Sequence, residues 1–189
     1  MDLYEAIRGR RTINEFNEEA PERALLQRLI ETAVWAPNHH RTEPWRFIVI
    51  AGGEREAFGE ALAEWLEQGG LGTVPEERDV RRARHSMLQS PVTIAVGQAI
   101  PDDDDSVRDL EDYAACCCAA QNLMLAAHAE GLGTKWATGR LSRYARAKEL
   151  LGLSPRDRIV GYIMTGYPAP DPDAEEPRRS PPSVGWRGL

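Results

Sequence analysis

The chain has 189 residues, 42% of them hydrophobic and 28% charged, with a formal net charge of −7. That length suits one domain with its own core. An acidic chain repels nucleic acid unless it segregates a basic patch. The basic clusters here are short (Arg8, Arg10, Arg11; then Arg78, Arg81, Arg82, Arg84), and the second is interleaved with Glu76, Glu77 and Asp79. No apolar run approaches the ~20 residues that span a bilayer. The opening MDLYEAIRGRR puts charge where a secretory leader needs an apolar stretch. The expectation is a soluble, cytoplasmic protein without nucleic-acid or membrane partners.

In chain order, residues 2–9 read as a short helix with Leu3, Ala6 and Ile7 on one face. A second helix is predicted from Glu22, after Pro21, with Leu25, Leu26, Leu29, Ile30, Ala33 and Val34 at helical spacing and Pro37 as its stop. A polar loop, PNHHRTEP, leads into the strand WRFIVI at 45–50, which Gly52 and Gly53 close. Helical patterns return at 54–67 and, more polar, at about 75–87. Pro91 opens the apolar strand 92–97. PDDDD at 101–105 is read as a solvated surface loop.

Residues 109–130 are the longest helical candidate, rich in Ala, Cys, Leu and Met nearly all round, so this helix belongs at the centre or at a subunit interface. Cys116, Cys117 and Cys118 are consecutive. Helix neighbours diverge by about 100°, so no ordinary disulfide framework follows, and the three are read as small buried fillers. Gly131 and Gly133 close the helix. GTKWATGR (133–140) reads as strand or extended turn, followed by a helix at about 142–151 and the strand RIVGYIMTG at 158–166. The last 23 residues hold six prolines and exclude a regular helix. Trp186 favours an arm docked across a partner over a free tail. The mixture of helices and strands predicts α+β or α/β architecture in a single domain, 1–189, with 167–189 as a proline-rich arm.

No P-loop, dinucleotide fingerprint, nucleophile elbow or zinc-spaced histidine pair is present, and no metal site is expected. Four segments remain. Arg10 and Arg11 carry the planar guanidinium fork that suits phosphate, with the Thr12 hydroxyl beside them. The loop 37–44 offers Asn38, His39, His40 and Arg41 as donors, or simply as solvated loop residues. GLGTKWATGR (131–140) combines glycine-rich backbone with Trp136, which serves a planar ligand, the core or both. Arg187 in the tail is either a second phosphate ligand or exposed charge.

Taken in order and spacing, these segments resemble the short members of the nitroreductase family. Arg10-Arg11-Thr12 is similar to that family's Arg-Arg-Ser/Thr motif, APNHHRTEPWRF (36–47) to its Ala-Pro…Pro-Trp-x-Phe segment, and GLGTKWATG (131–139) to its Gly-x-Gly-x-x-Trp-x-x-Gly stretch. The resemblance covers roughly 1–166. It implies an α+β fold with a central, mainly antiparallel sheet, and an intertwined homodimer with FMN at the interface. Arg10, Arg11 and Thr12 would hold phosphate, ribityl and pyrimidine groups, and Trp136, Ala137 and Thr138 would lie beside the isoalloxazine. His39 and Trp35 would come from the other chain. NADH or NADPH would be the donor, and nitroaromatics, quinones or enones the acceptors. One departure stands out: many members carry a basic side chain shortly after the arginine motif, where this chain has Asn14. No side chain is required as a catalytic acid. The alternatives to a ping-pong reductase are a flavin carrier or sensor, and a specialised flavin reaction on the same fold.

Overall fold

The computed structural model describes residues 1–102, 105–170 and 179–188. Its architecture is α+β. Strands β1 (Trp45–Ala51), β2 (Val92–Gln98), β3 (Gly133–Ala137) and β4 (Arg158–Gly166) form one antiparallel sheet in the order β1-β2-β4-β3. The helices are α1 (Leu3–Gly9), α2 (Arg23–Ala33), α3 (Glu54–Glu67), α4 (Glu77–Arg84), α5 (Ser106–Ala129) and α6 (Ala145–Leu150).

Alternation along the strands divides the core in two. Val92, Ile94 and Val96 of β2 and Ile163 of β4 face α2 and α5, meeting Leu26, Leu29, Cys116, Ala120 and Leu123. Ala95 and Tyr162 face the opposite way, towards Phe58, Leu62, Leu66, Val80 and Met87 from α3, α4 and the turn after it. A bulge between Val96 and Gly97 leaves Val160 unpaired, and Val160 turns towards α5. Both sheet faces are therefore covered, which explains why β2 and β4 read as almost continuous apolar runs.

Helix α5 begins three residues earlier than its apolar pattern. Asp105 caps it, its carboxylate accepting from the N–H groups of Val107 and Arg108. One aspartate of the acidic run thus has a structural task, while Asp103 and Asp104 lie outside the described residues. Arg158 and Gln98 tie α5 to the sheet: Arg158 donates to Asp109 at 3.0 Å and to the Gln98 carbonyl at 2.9 Å.

The cysteine reading needs correction. Cys116 is buried, and burial pushes its thiol up to about 12, but Cys117 is half-buried and Cys118 exposed. Three consecutive helical residues sweep too wide an arc to share one buried face. Helix α2 ends at Ala33, so Val34 and Trp35 sit in a turn rather than in the helix. The segment expected as one helix at 142–151 is a 3-10 turn, Arg140–Arg143, followed by α6. The polar helix is shorter than the expected 75–87, ending at Arg84.

Candidate functional site

The chain leaves α1 at Arg10 and runs alongside β3. Thr12 forms a parallel bridge with Thr134, and the Ile13 N–H donates to the Thr134 carbonyl at 3.0 Å. This contact requires Gly133, where a Cβ would lie 2.7 Å from the Ile13 side chain. The arginine motif is thereby fixed against the start of the GTKWATG segment, from which it is separated by more than a hundred residues of sequence.

Arg10 and Arg11 border a cavity of about 310 Å³ with Gly9, His128, Gly131 and Gly133. Both are half-buried, and neither is paired with a carboxylate among the described residues. Arg11 donates to the carbonyls of Arg8 and Arg10. Burial, then the charges of Arg11 and Arg179, hold the Arg10 guanidinium below its ordinary value. Burial, then Arg10 and Arg11, hold the His128 imidazole below its own. Like charges held together without a counter-ion are a prepared site for an anion. Arg179 is the residue the sequence reading missed. The tail brings the exposed Arg179 within electrostatic reach of Arg10; Arg187 is likewise exposed.

Along β3 the side chains alternate. Trp136 pairs with Ile163 and turns to the α5 side, where its indole lies on Gly161; a Cβ there would be 2.1 Å from Nε1. The buried Trp136 N–H has no acceptor among the described residues. The indole therefore serves the core, and what β3 offers a flat ligand is its backbone. Strand β3 is an edge strand. Because Thr134 turns its carbonyl outward to Ile13, the peptide groups of Trp136, two residues on, face the same open edge. Ala137 is half-buried and Thr138 exposed at its end.

His39 and Trp35 lie elsewhere. Asn38 and Thr42 donate to the buried carboxylate of Asp112 on α5, and the Asn38 side chain accepts from the Glu43 N–H at 2.8 Å. This tether holds a loop in which His40, Arg41 and Glu43 all have left-handed backbone. His39 packs against His40, which faces Glu111 at 3.9 Å. Glu111 and His128 are almost five turns apart on α5, about 25 Å at 1.5 Å per residue. One chain therefore brings Arg10, Arg11 and Thr12 to β3 but keeps His39 near the opposite end of α5. Trp35 is 86% exposed in the turn after α2.

The site is thus an α+β domain's open sheet edge beside Arg10 and Arg11, neither of which has a carboxylate partner among the described residues. Comparison with known proteins gives the class of protein: the chain belongs to the nitroreductase family, whose model matches residues 7–167. A protein of Escherichia coli (strain K12) named "Putative NAD(P)H nitroreductase YdjA" is 31% identical over 168 residues, covering 89% of each chain. The crystal structure of a nitroreductase-like family protein from Bacillus cereus has a TM-score of 0.81 at 31% identity, covering 96% of this chain and 92% of that one. A protein from Desulfovibrio desulfuricans, solved in complex with FMN, has a TM-score of 0.70 at 26% identity, covering 95% and 92%.

Proposed function

We propose that this chain is an FMN-dependent oxidoreductase that takes electrons from NADH or NADPH and works as a homodimer in the cytoplasm. The observation that carries the reading is the cluster of Arg10, Arg11 and Arg179, without a carboxylate partner among the described residues, beside the open edge of β3. A phosphate monoester would supply the missing counter-charge, and the outward peptide groups at Trp136 suit the polar edge of a flavin ring. When bound, FMN supplies the hydride chemistry, alternating between the nicotinamide donor and a nitroaromatic, quinone or enone acceptor. The chain's own part is to bind, orient and shield. Arg10 and Arg11 grip the phosphate, Thr12 adds a hydroxyl, and residues 136–138 support the ring through the main chain.

The distance along α5 supports homodimerisation. His39 and Trp35 can join the Arg10 cradle only if they come from a second copy. The exposed Leu3, Tyr4 and Ile7 of α1, together with Trp35, Val107 and Leu110, supply apolar area for such a contact. The free edge of β1 and the adjoining groove of Leu26, Ile30, Phe47 and Val49 are surfaces that a partner's arm can cover. No helix among the described residues is long and apolar enough to cross a membrane.

The test is a visible spectrum of the purified protein, followed by stopped-flow mixing with NADPH or NADH and then with a nitroaromatic. A flavin spectrum that bleaches rapidly and returns with the acceptor supports the reading. A colourless protein that takes up no added FMN overturns it, and bound flavin that the nicotinamides leave oxidised points to a carrier instead.

A further inference from the structure

Among the described residues, one group of His, Cys, Asp and Glu side chains converges closely enough to hold a metal ion: His39, His40 and Glu111, whose ligand atoms all lie within 4.8 Å of one another. Neighbouring histidines lack the i,i+4 spacing that puts a zinc pair on one helix face. The fold brings them together by other means. His40 has left-handed backbone, and its ring packs against that of His39 with centroids 3.9 Å apart. Glu111, on the second turn of α5, sets its carboxylate 3.9 Å from His40 Nε2.

The loop is latched to the helix. Asp112, the next residue on α5, is buried and accepts from Asn38 and Thr42, which flank the two histidines. The separation between the histidine loop and Glu111 is thereby set before any ion arrives. Two imidazoles and one carboxylate suit zinc and its transition-metal neighbours rather than calcium or magnesium. Zinc takes such ligands at about 2.0–2.2 Å, so tetrahedral ligand atoms stand roughly 3.3 Å apart. His39 and His40 are exposed and Glu111 is half-buried, so small side-chain rotations close the cluster.

We propose that His39, His40 and Glu111 bind a zinc-class divalent cation, one per chain, with water in the fourth position. An imidazole has two ring nitrogens, so His39 can hold the ion with one and still face the second copy's flavin cradle with the other. The site is formed within one chain and does not depend on the flavin reading.

Zinc chloride is the probe, titrated calorimetrically into the protein as purified and, separately, into the protein saturated with FMN, with magnesium chloride as competitor. One zinc per chain should bind in both titrations, with affinities within about threefold of each other, and excess magnesium should not displace it. Loss of an outer partner of a metal ligand costs roughly 10–100-fold in affinity. Loss of a ligand itself should therefore cost at least about tenfold in each of His39→Ala, His40→Asn and Glu111→Gln; asparagine tolerates the left-handed backbone at position 40. Cys118, the exposed thiol of the same helix, is the rival ligand, and Cys118→Ser should leave zinc affinity within about twofold. No zinc binding, displacement by magnesium, unchanged affinity in Glu111→Gln, or lost affinity in Cys118→Ser would each overturn the proposal. So would zinc binding that FMN abolishes, since His39 would then belong to the flavin alone. Zinc binding without any FMN binding would support the site and reject the flavin reading alone.

Discussion

At the scale of single residues, the decisive feature is positive charge without a carboxylate partner among the described residues. Arg10 and Arg11 sit half-buried beside Gly9 and Gly133, and charge-assisted hydrogen bonds to phosphate are the strong kind. Arg10→Gln should therefore weaken FMN binding by roughly ten- to a hundredfold while leaving riboflavin nearly unaffected, as read by flavin fluorescence titration. Equal losses for both ligands would place Arg10 away from the phosphate. His128 reports on the same cluster. Its ordinary value is 6.5, and burial followed by Arg10 and Arg11 lowers it in the ligand-free fold. The unfolded chain then binds that proton more tightly, so this group costs stability as pH falls through about 6.5. NMR titration should place the His128 midpoint below 6.5 in the ligand-free protein, and FMN should move it upward by offering negative charge. Tyr162 gives a third readout. Its hydroxyl is buried without a partner among the described residues, so Tyr162→Phe should leave ligand-free stability unchanged or raise it by up to ~1 kcal/mol, as chemical denaturation would show. Loss of a satisfied hydroxyl would instead cost about that amount.

At the scale of elements, β3 organises the candidate site, and Gly161 opposite it sets the seat of Trp136. A Cβ at Gly161 would lie 2.1 Å from the indole Nε1 and 3.2 Å from the Ala137 carbonyl. Gly161→Ala should cost roughly 1–3 kcal/mol by overpacking and weaken FMN by displacing the 136–138 backbone. Trp136→Phe in the same background should recover part of that cost, and a double-mutant cycle on denaturation midpoints checks the coupling. The sequence made most elements legible because their periods are clean: α2 and α3 at 3.6, and β2 and β4 as apolar runs bounded by turns. It could not assign faces on β3, since five residues of strand show no contrast until the register with β4 is known. It misjudged Cys117 and Cys118 because composition carries no helix azimuth. Arg179 was hidden for a different reason. It lies in a proline-rich tail without periodicity, so only proximity in space to Arg10 distinguishes it from Arg187.

At the scale of the whole molecule, the distribution of site residues is the central point. The Arg10 end and the His39 end of α5 are about 25 Å apart, and no bend in a continuous helix joins them. Exposed apolar side chains on α1, with Trp35 at 86% and Trp186 at 74% exposure, are surfaces that the proposed second copy would cover. Two copies packed with their α5 helices antiparallel would set each Arg10 cradle beside the other copy's His39 loop. Sedimentation velocity of the FMN-loaded protein, followed at once by protein absorbance and by the flavin's visible absorbance, tests this most directly. The flavin signal should travel with a species of twice the chain mass, one flavin per chain; a stable monomer that carries its flavin would contradict the account.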